Sequence, residues 1–333
     1  MREFVDFATH DWTMAEYLAA PALSRSDLVG VVRDVKPFGK DAAKFGEAVH
    51  MALLEPDVFE QVAVREPRSW DPPGDEYEGD RWDQRLAVKP KFGGTGARLR
   101  AKQWEEEQEK AGLTVATPSA YAKAKRDLFA ADTEDKLSLS RTQWDHMWGC
   151  VAALKRIKLG GVELGTILEK GDVSLESSIT FTDKATGLRC KQRRDIVLGH
   201  VFDVKTASDP DESAFERAIG DRGYDVQGSF YGDAEAQYRG VDDVAFVNLV
   251  VGKQPQKDGL HRTAIYELGE NWRDLGRSLY ESALDIAAVF RGRDGLVPLY
   301  WSAEPRLLNT PPLWHAEEAE RIKQHANEVR ANG

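Results

Sequence analysis

The chain has only two cysteines, Cys150 and Cys190, among 333 residues, which leaves no disulfide framework and no paired-thiolate metal knuckle. They are expected to be reduced, buried thiols in a cytoplasmic protein. No apolar run approaches the roughly 18 residues of a membrane-spanning helix, so no membrane partner is expected. The opening MREFVDFATHDW carries acids and lacks an apolar stretch, which argues against a secretory leader. An excess of positive charge is also missing: 45 basic against 56 acidic residues give −11. That argues against a nucleic-acid coat or a polybasic membrane binder, but not against an enzyme that grips nucleic acid in one local channel. The seven histidines form no HExxH or HxxxH pair, so zinc hydrolysis is not expected. Gly93-Gly94-Thr95-Gly96 lacks the Lys and Ser/Thr that would follow in a phosphate-cradling loop. There is no internal repeat.

What is present is ordinary globular composition, 41% hydrophobic and 30% charged, enough to bury a core. At roughly 150 residues per domain the length allows one large domain or two modest ones; 1–333 is taken as a single domain whose first fifty-five residues read as N-terminal helical elements. Ser24 or Ser26 can cap a helix at SDLVGVVRDV, and DAAKFGEAVHMALLEP places Ala42, Phe45, Val49 and Leu53 at helical spacing until Pro56 stops it. Residues 65–112 differ. Acids crowd 71–80, basic residues crowd 81–102, and glutamates fill 105–109. Such blocks read as a mobile, solvated excursion or as a DNA-contacting arm built on Arg81, Arg85, Lys89, Lys91, Arg98 and Arg100, with Trp70 and Trp82 for base stacking. Helices are expected again near 118–131 and 139–158. The period then changes: SLESSITFTD, GLRCKQRRDIVLG and HVFDVKTA read as three consecutive antiparallel strands. A helix over 212–238, a buried strand at DVAFVNLVV, a strand at HRTAIYEL and a helix over 270–291 complete an α/β layered order.

The chemistry concentrates in Asp195…Asp203-Val204-Lys205. Residues two apart on a strand share a face, about 6.6–7 Å apart. Asp203 and Lys205 therefore project together, and a short hairpin can bring Asp195 alongside. A lone D-x-K is more commonly an exposed ion pair. Here, however, Val201, Phe202 and Val204 set it in an apolar strand, where charges without a purpose are costly, and Glu176 adds an acid on the strand before. Clustered carboxylates bind Mg²⁺ or Mn²⁺, and a neighbouring lysine can orient a nucleophile or offset charge on phosphorus oxygens. That combination suits phosphodiester hydrolysis.

The arrangement Glu176…Arg194-Asp195…Asp203-Val204-Lys205-Thr206 resembles the PD-(D/E)xK nuclease core, a restriction-endonuclease-like central mixed sheet flanked by helices. Among such nucleases it most resembles the exodeoxyribonuclease VIII (RecE-type) family of phages and prophages. Phe45-Gly46-Glu47-Ala48-Val49-His50 through Pro56 is similar to that family's FGTAxHxLLLEP segment, and Val226-Gln227-Gly228-Ser229-Phe230-Tyr231 to its helix motif. The likeness covers 20–60, the helical part that contributes His50, and 140–305, the nuclease core; 306–333 is left as a tail and helix. The resemblance implies Asp195, Asp203, His50 and Glu176 as metal ligands, Lys205 as the catalytic lysine, and Gln227 with Tyr231 near the water or scissile phosphate. Arg189, Lys191 and Arg193 share a strand face that could track DNA phosphates, and Arg194 points to the other. One departure is Arg194 in place of the usual, structural proline. Two cysteines cannot build the four-thiolate iron–sulfur cluster of some relatives of this fold. The function implied is a Mg²⁺- or Mn²⁺-dependent exonuclease degrading linear double-stranded DNA from the 5′ end in phage-type recombination. A homo-oligomer, an annealing-protein partner and a bacterial or infected-host cytoplasm go with it. A restriction-like or structure-specific endonuclease and a non-catalytic DNA-binding scaffold are the alternatives.

Overall fold

The chain opens on a strand where a helix was expected. In the computed structural model, which describes residues 2–35, 39–67, 86–91, 93–290 and 316–332, β1 (Phe4–His10) pairs antiparallel with residues 178–183. Its register slips between Val5 and Ala8, and Asp6 has a left-handed φ of +55°. That irregularity spoils the alternation by which a strand is recognised, so pairing rather than local pattern makes it one. Two short helices follow, α1 (Met14–Ala19) and α2 (Arg25–Val32), each opened by a reciprocal capping box, Thr13 with Glu16 and Ser24 with Asp27. The expected helix at FGEAVH is α3 (Lys40–Leu54), which buries Phe45, Ala48, Val49 and Leu53.

Residues Pro56–Trp148 form a compact unit of their own. It holds α4 (Pro56–Val62), β2 (Ala63–Arg65), β3 (Leu86–Val88), α5 (Ala97–Lys110), β4 (Thr114–Ala116), α6 (Pro118–Asp132), β5 (Leu137–Leu139) and the start of α7 (Arg141–Lys155). Strands β2 and β5 pair in parallel, as do β3 and β4, and Phe59 packs 5.4 Å from Trp144 and 5.6 Å from Trp148. Within the segment expected to be a charged excursion, α5 is a regular helix with no buried residue. Arg100 donates to the carbonyls of Thr95 (3.0 Å) and Gly93 (2.6 Å), and Lys89 pairs with Glu105. Arg81, Arg85, Trp70 and Trp82 lie outside the described residues.

The other unit joins residues 1–55 to 149–333. Gly160-Gly161 turns a small hairpin, β6 (Lys158–Leu159) with β7 (Val162–Glu163), ahead of α8 (Leu164–Lys170). The three expected strands are β8 (Ser174–Asp183), β9 (Arg189–Leu198) and β10 (His200–Ala207). The single helix expected over 212–238 is two, α9 (Glu212–Arg222) and α10 (Tyr224–Arg239). Gly223 separates them at φ +66°, where a Cβ would lie 2.8 Å from Val29. Then come β11 (Phe246–Pro255), β12 (His261–Glu267), α11 (Glu270–Phe290) and α12 (Ala316–Asn332).

The six-stranded sheet has the order β1-β8-β9-β10-β11-β12, antiparallel throughout except for parallel β10 and β11. It is the mixed, helix-flanked sheet expected. Phe181, Val201 and Phe246 from the sheet meet Phe230 of α10 and Tyr280 and Leu284 of α11 in the main core. A second cluster packs Phe215 and Ile219 of α9 against Val250. Among the described residues no helix is long and apolar enough to cross a membrane.

Candidate active site

Three neighbouring strands supply the acids. In the β9–β10 hairpin Phe202 pairs with Ile196, which leaves Asp195 just past the last rung, and its Oδ2 accepts the Val204 backbone N–H at 2.8 Å. On β8, the pairs Leu175–Ile196 and Ser177–Arg194 set Glu176 across from Asp195. Glu176 is left-handed there, φ +48°, a conformation that costs a non-glycine residue about 1–2 kcal/mol. Arg193 holds it in place. Its Nε donates to Glu176 Oε2 at 2.5 Å, while its other nitrogens donate to the Trp12 carbonyl (2.6 Å) and Glu55 Oε1 (3.3 Å).

Helix α3 brings in His50. One turn earlier, a Cβ on Gly46 would lie 3.2 Å from Thr206 Oγ1, so the glycine lets the helix approach β10 closely. His50 Nε2 lies 2.8 Å from Asp195 Oδ2, and Nδ1 lies 3.2 Å from Glu176 Oε1. One potential ligand atom from each of His50, Glu176 and Asp195 lies within 4.8 Å of the others.

Asp203 is not in that trio. It shares a face of β10 with Lys205, as the spacing predicts, and both turn to α10. Gln227 Nε2 donates to Asp203 Oδ1 at 2.6 Å, and Gln227 Oε1 accepts Lys205 Nζ at 3.2 Å. The ammonium also pairs with Asp203 and lies 4.6 Å from the centre of the Tyr224 ring. A residue the sequence did not flag, Arg25 of α2, reaches the same Gln227 oxygen at 3.3 Å. Its place beside a helix cap gives no local signal of that long-range contact.

Burial and neighbouring charge act differently on each group. Burial pushes the Glu176 carboxyl up to about 7 despite His50 and Arg193. Burial, aided by Asp195, raises Asp203 as well. Burial also works against Asp195, but His50, Lys205 and the Val204 N–H outweigh it and hold that group below the usual carboxylate range. For His50 burial disfavours the charged ring, yet Asp195 and Glu176 carry it up to about 9. Lys205 is likewise raised, because Asp203 outweighs its burial.

These residues fit a divalent cation. Glu176 Oε1 and Asp203 Oδ2 are buried and accept no well-formed hydrogen bond, the first facing His50 Nδ1 at 3.2 Å and the second the Lys205 ammonium. Buried carboxylate oxygens with imperfect hydrogen bonds are costly, and a divalent cation would satisfy them better. Carboxylates with one imidazole form a donor set suited to Mg²⁺ or Mn²⁺.

The residues expected to meet DNA are placed differently. Lys191 points its ammonium at the C-terminal end of α1, donating to the carbonyls of Tyr17 (2.7 Å), Leu18 (3.3 Å) and Ala20 (2.8 Å). Arg193 braces Glu176, and Arg194 is buried in an ion pair with Glu235. Tyr231 is buried with its ring edge-on to Phe246. Of the four cations on β9, Arg189 alone is exposed. Alternation along the strand gave the faces but not what covers them.

A protein-family model described as a PDDEXK-like domain of unknown function (DUF3799) matches residues 100–292. The chain belongs to this family. The match spans β8 to β12 and so covers the acids of the PDDEXK-like sheet, while His50 comes from outside it. A solved structure described as a "putative exonuclease" from Eubacterium rectale aligns over 91% of this PDDEXK-like chain and 96% of its own, at 12% identity and a TM-score of 0.46. No curated protein matches the sequence.

Proposed function

We propose that this PDDEXK-like protein is a divalent-metal-dependent deoxyribonuclease. The observation that carries the reading is the convergence of His50, Glu176 and Asp195 within 4.8 Å, beside the Asp203–Lys205–Gln227 group. Glu176, Asp195, Asp203 and His50 would hold Mg²⁺ or Mn²⁺. Such an ion, when bound, supplies Lewis acidity toward a phosphoryl oxygen and lowers the pKa of water. Lys205, aimed by Asp203 and Gln227, offsets negative charge developing on the phosphate oxygens and orients the attacking water. Arg25 adds a second cation on the same side of Gln227, and Arg189 is the strand cation available to a DNA phosphate.

The resemblance to exodeoxyribonuclease VIII supports the finer reading. In it, 1–333 acts as one nuclease that degrades linear double-stranded DNA from the 5′ end, as a homo-oligomer working with an annealing protein in recombination. Linear and covalently closed circular duplexes incubated with Mg²⁺ or Mn²⁺ test it. Loss of linear DNA alone, abolished by EDTA and by Asp203→Ala, is expected. Nicking of closed circles would favour a restriction-like endonuclease, and inertness toward both would leave a DNA-binding scaffold.

A further inference from the structure

Beside the acidic cluster lies a slot that the hydrolytic residues do not use. We propose that Trp12 and Arg189 form a subsite for one nucleobase and its phosphate from a single strand. The proposal rests on the nuclease reading and assigns part of the substrate's path.

The indole is set in place before any ligand arrives. His10 Nε2 bonds Thr180 Oγ1 at 2.8 Å, and the imidazole stacks on Trp12 with centroids 3.9 Å apart and planes 8° from parallel. Trp12 lines a cavity of about 350 Å³ walled by Ala19, Pro21 and Ala22, with Arg189 and Glu16 as its charged residues. That volume is at the small end of ligand pockets. With His10 on one face of the ring, one further planar group can stack there.

Charge identifies the ligand class. The Glu16 carboxylate is engaged by the Thr13 N–H and hydroxyl, both at 2.8 Å, and so serves the cap of α1. Arg189 is fixed by a bond to Thr180 Oγ1 at 3.1 Å and remains exposed. An aromatic wall beside a fixed guanidinium fits a flat heterocycle carrying a phosphate, and base stacking on such a ring tolerates any base. The slot is also coupled to the site: Arg193, which braces Glu176 at 2.5 Å, bonds the Trp12 carbonyl at 2.6 Å. A nucleotide seated on Trp12 is thus one guanidinium away from the acids.

The test measures binding of fluorescein-labelled oligothymidylate, and of an abasic strand of equal length, to the full chain in EDTA. Trp12→Ala should raise the Kd for oligothymidylate about tenfold or more, Trp12→Phe should stay within about threefold of wild type, and the abasic strand should bind all three alike. Wild-type affinity in Trp12→Ala would overturn the subsite, as would an equal loss on the abasic strand. Melting curves check the fold of Trp12→Ala, and Trp12→Phe tests stacking without emptying the slot. Cleavage of linear duplex by the wild type, assayed in parallel with Mg²⁺ or Mn²⁺, separates the two readings. Cleavage with unchanged binding by Trp12→Ala removes the subsite alone. Tenfold weaker binding by Trp12→Ala without any wild-type cleavage keeps the subsite and removes the nuclease.

Discussion

His50 and Asp195 meet at 2.8 Å, although one lies on an N-terminal helix and the other on a central strand. The same imidazole reaches Glu176 with its second nitrogen. One ring therefore bridges two carboxylates that would otherwise repel across adjacent strands, and keeps them converged on a single point. An arrangement of acids that needs a cation between them should respond to a cation that is supplied.

Mn²⁺ or Mg²⁺ is accordingly expected to raise the melting temperature. Binding to the folded state alone adds about 2.7 kcal/mol when free ion exceeds its Kd by about 100-fold. Asp195→Asn should lose most of this gain. Scanning fluorimetry with and without EDTA reads both, and a wild type indifferent to either ion would remove the metal site.

Lys205→Met should leave the metal-induced rise in melting temperature in place but lower the rate of DNA hydrolysis by about 10²–10³, the usual cost of losing one stabilising donor. Gln227→Ala should fall in the same direction, since its amide holds both Asp203 and Lys205. Initial rates on linear duplex decide it. A Lys205→Met rate within threefold of wild type would exclude the lysine from the reaction.

The sheet was legible because its strands carry their own signals. Strands β8, β9 and β10 are alternating or β-branched runs between turn residues, and β11 is the continuous apolar run of a strand buried on both faces. The D-x-K face on β10 followed from the strand period alone. Residues fixed by distant partners were not legible. Strand β1 owes its form to pairing across a bulge, and the break at Gly223 needs a left-handed φ of +66° that a glycine inside a helical pattern does not announce. Arg193 looked like a phosphate contact because alternation reports a face, while its partners Trp12, Glu55 and Glu176 come from three separate segments. His50 could be placed only through a resemblance, since nothing local to α3 points to β9.

Arg193 is expected to matter for folding before it matters for rate. Arg193→Leu deprives Glu176, already strained at φ +48°, of its buried guanidinium partner. Removing one partner of a buried pair costs about 3–5 kcal/mol. Urea unfolding with EDTA present measures this directly, and a loss below about 1 kcal/mol would show that Arg193 does not hold Glu176.

The two thiols should be silent in the native protein. Burial pushes Cys150 up to about 12 and Cys190 up as well, so both are neutral thiols at pH 8. In the unfolded chain they ionise near the ordinary value of about 8.5. Above that value the unfolded state therefore loses protons that the folded state keeps, and stability falls as pH rises from about 8.5 toward 12. Labelling with a chromogenic disulfide at pH 8 should require denaturant; prompt reaction of either thiol would contradict their burial.

Gly276 tests how tightly α11 lies on α10. A Cβ there would sit 2.1 Å from the Asp225 carbonyl oxygen and 2.6 Å from Ser229 Oγ, so the helices touch backbone to backbone at this point. Asp225 cannot retreat, because its carboxylate is gripped by both terminal nitrogens of Arg33 at 2.9 and 3.0 Å, and Arg33 is tied to the Gly220 carbonyl as well. The added methyl must push α11 outward and loosen Tyr280 and Leu284 in the core. Gly276→Ala should therefore destabilise by about 1–3 kcal/mol or more, against the usual gain in helix propensity from such a change. Gly93→Ala, in a loop with nothing within 4 Å of the new carbon, is the matched control and should be nearly neutral. Equal melting temperatures for the two variants would mean that α11 is not held where the structure puts it.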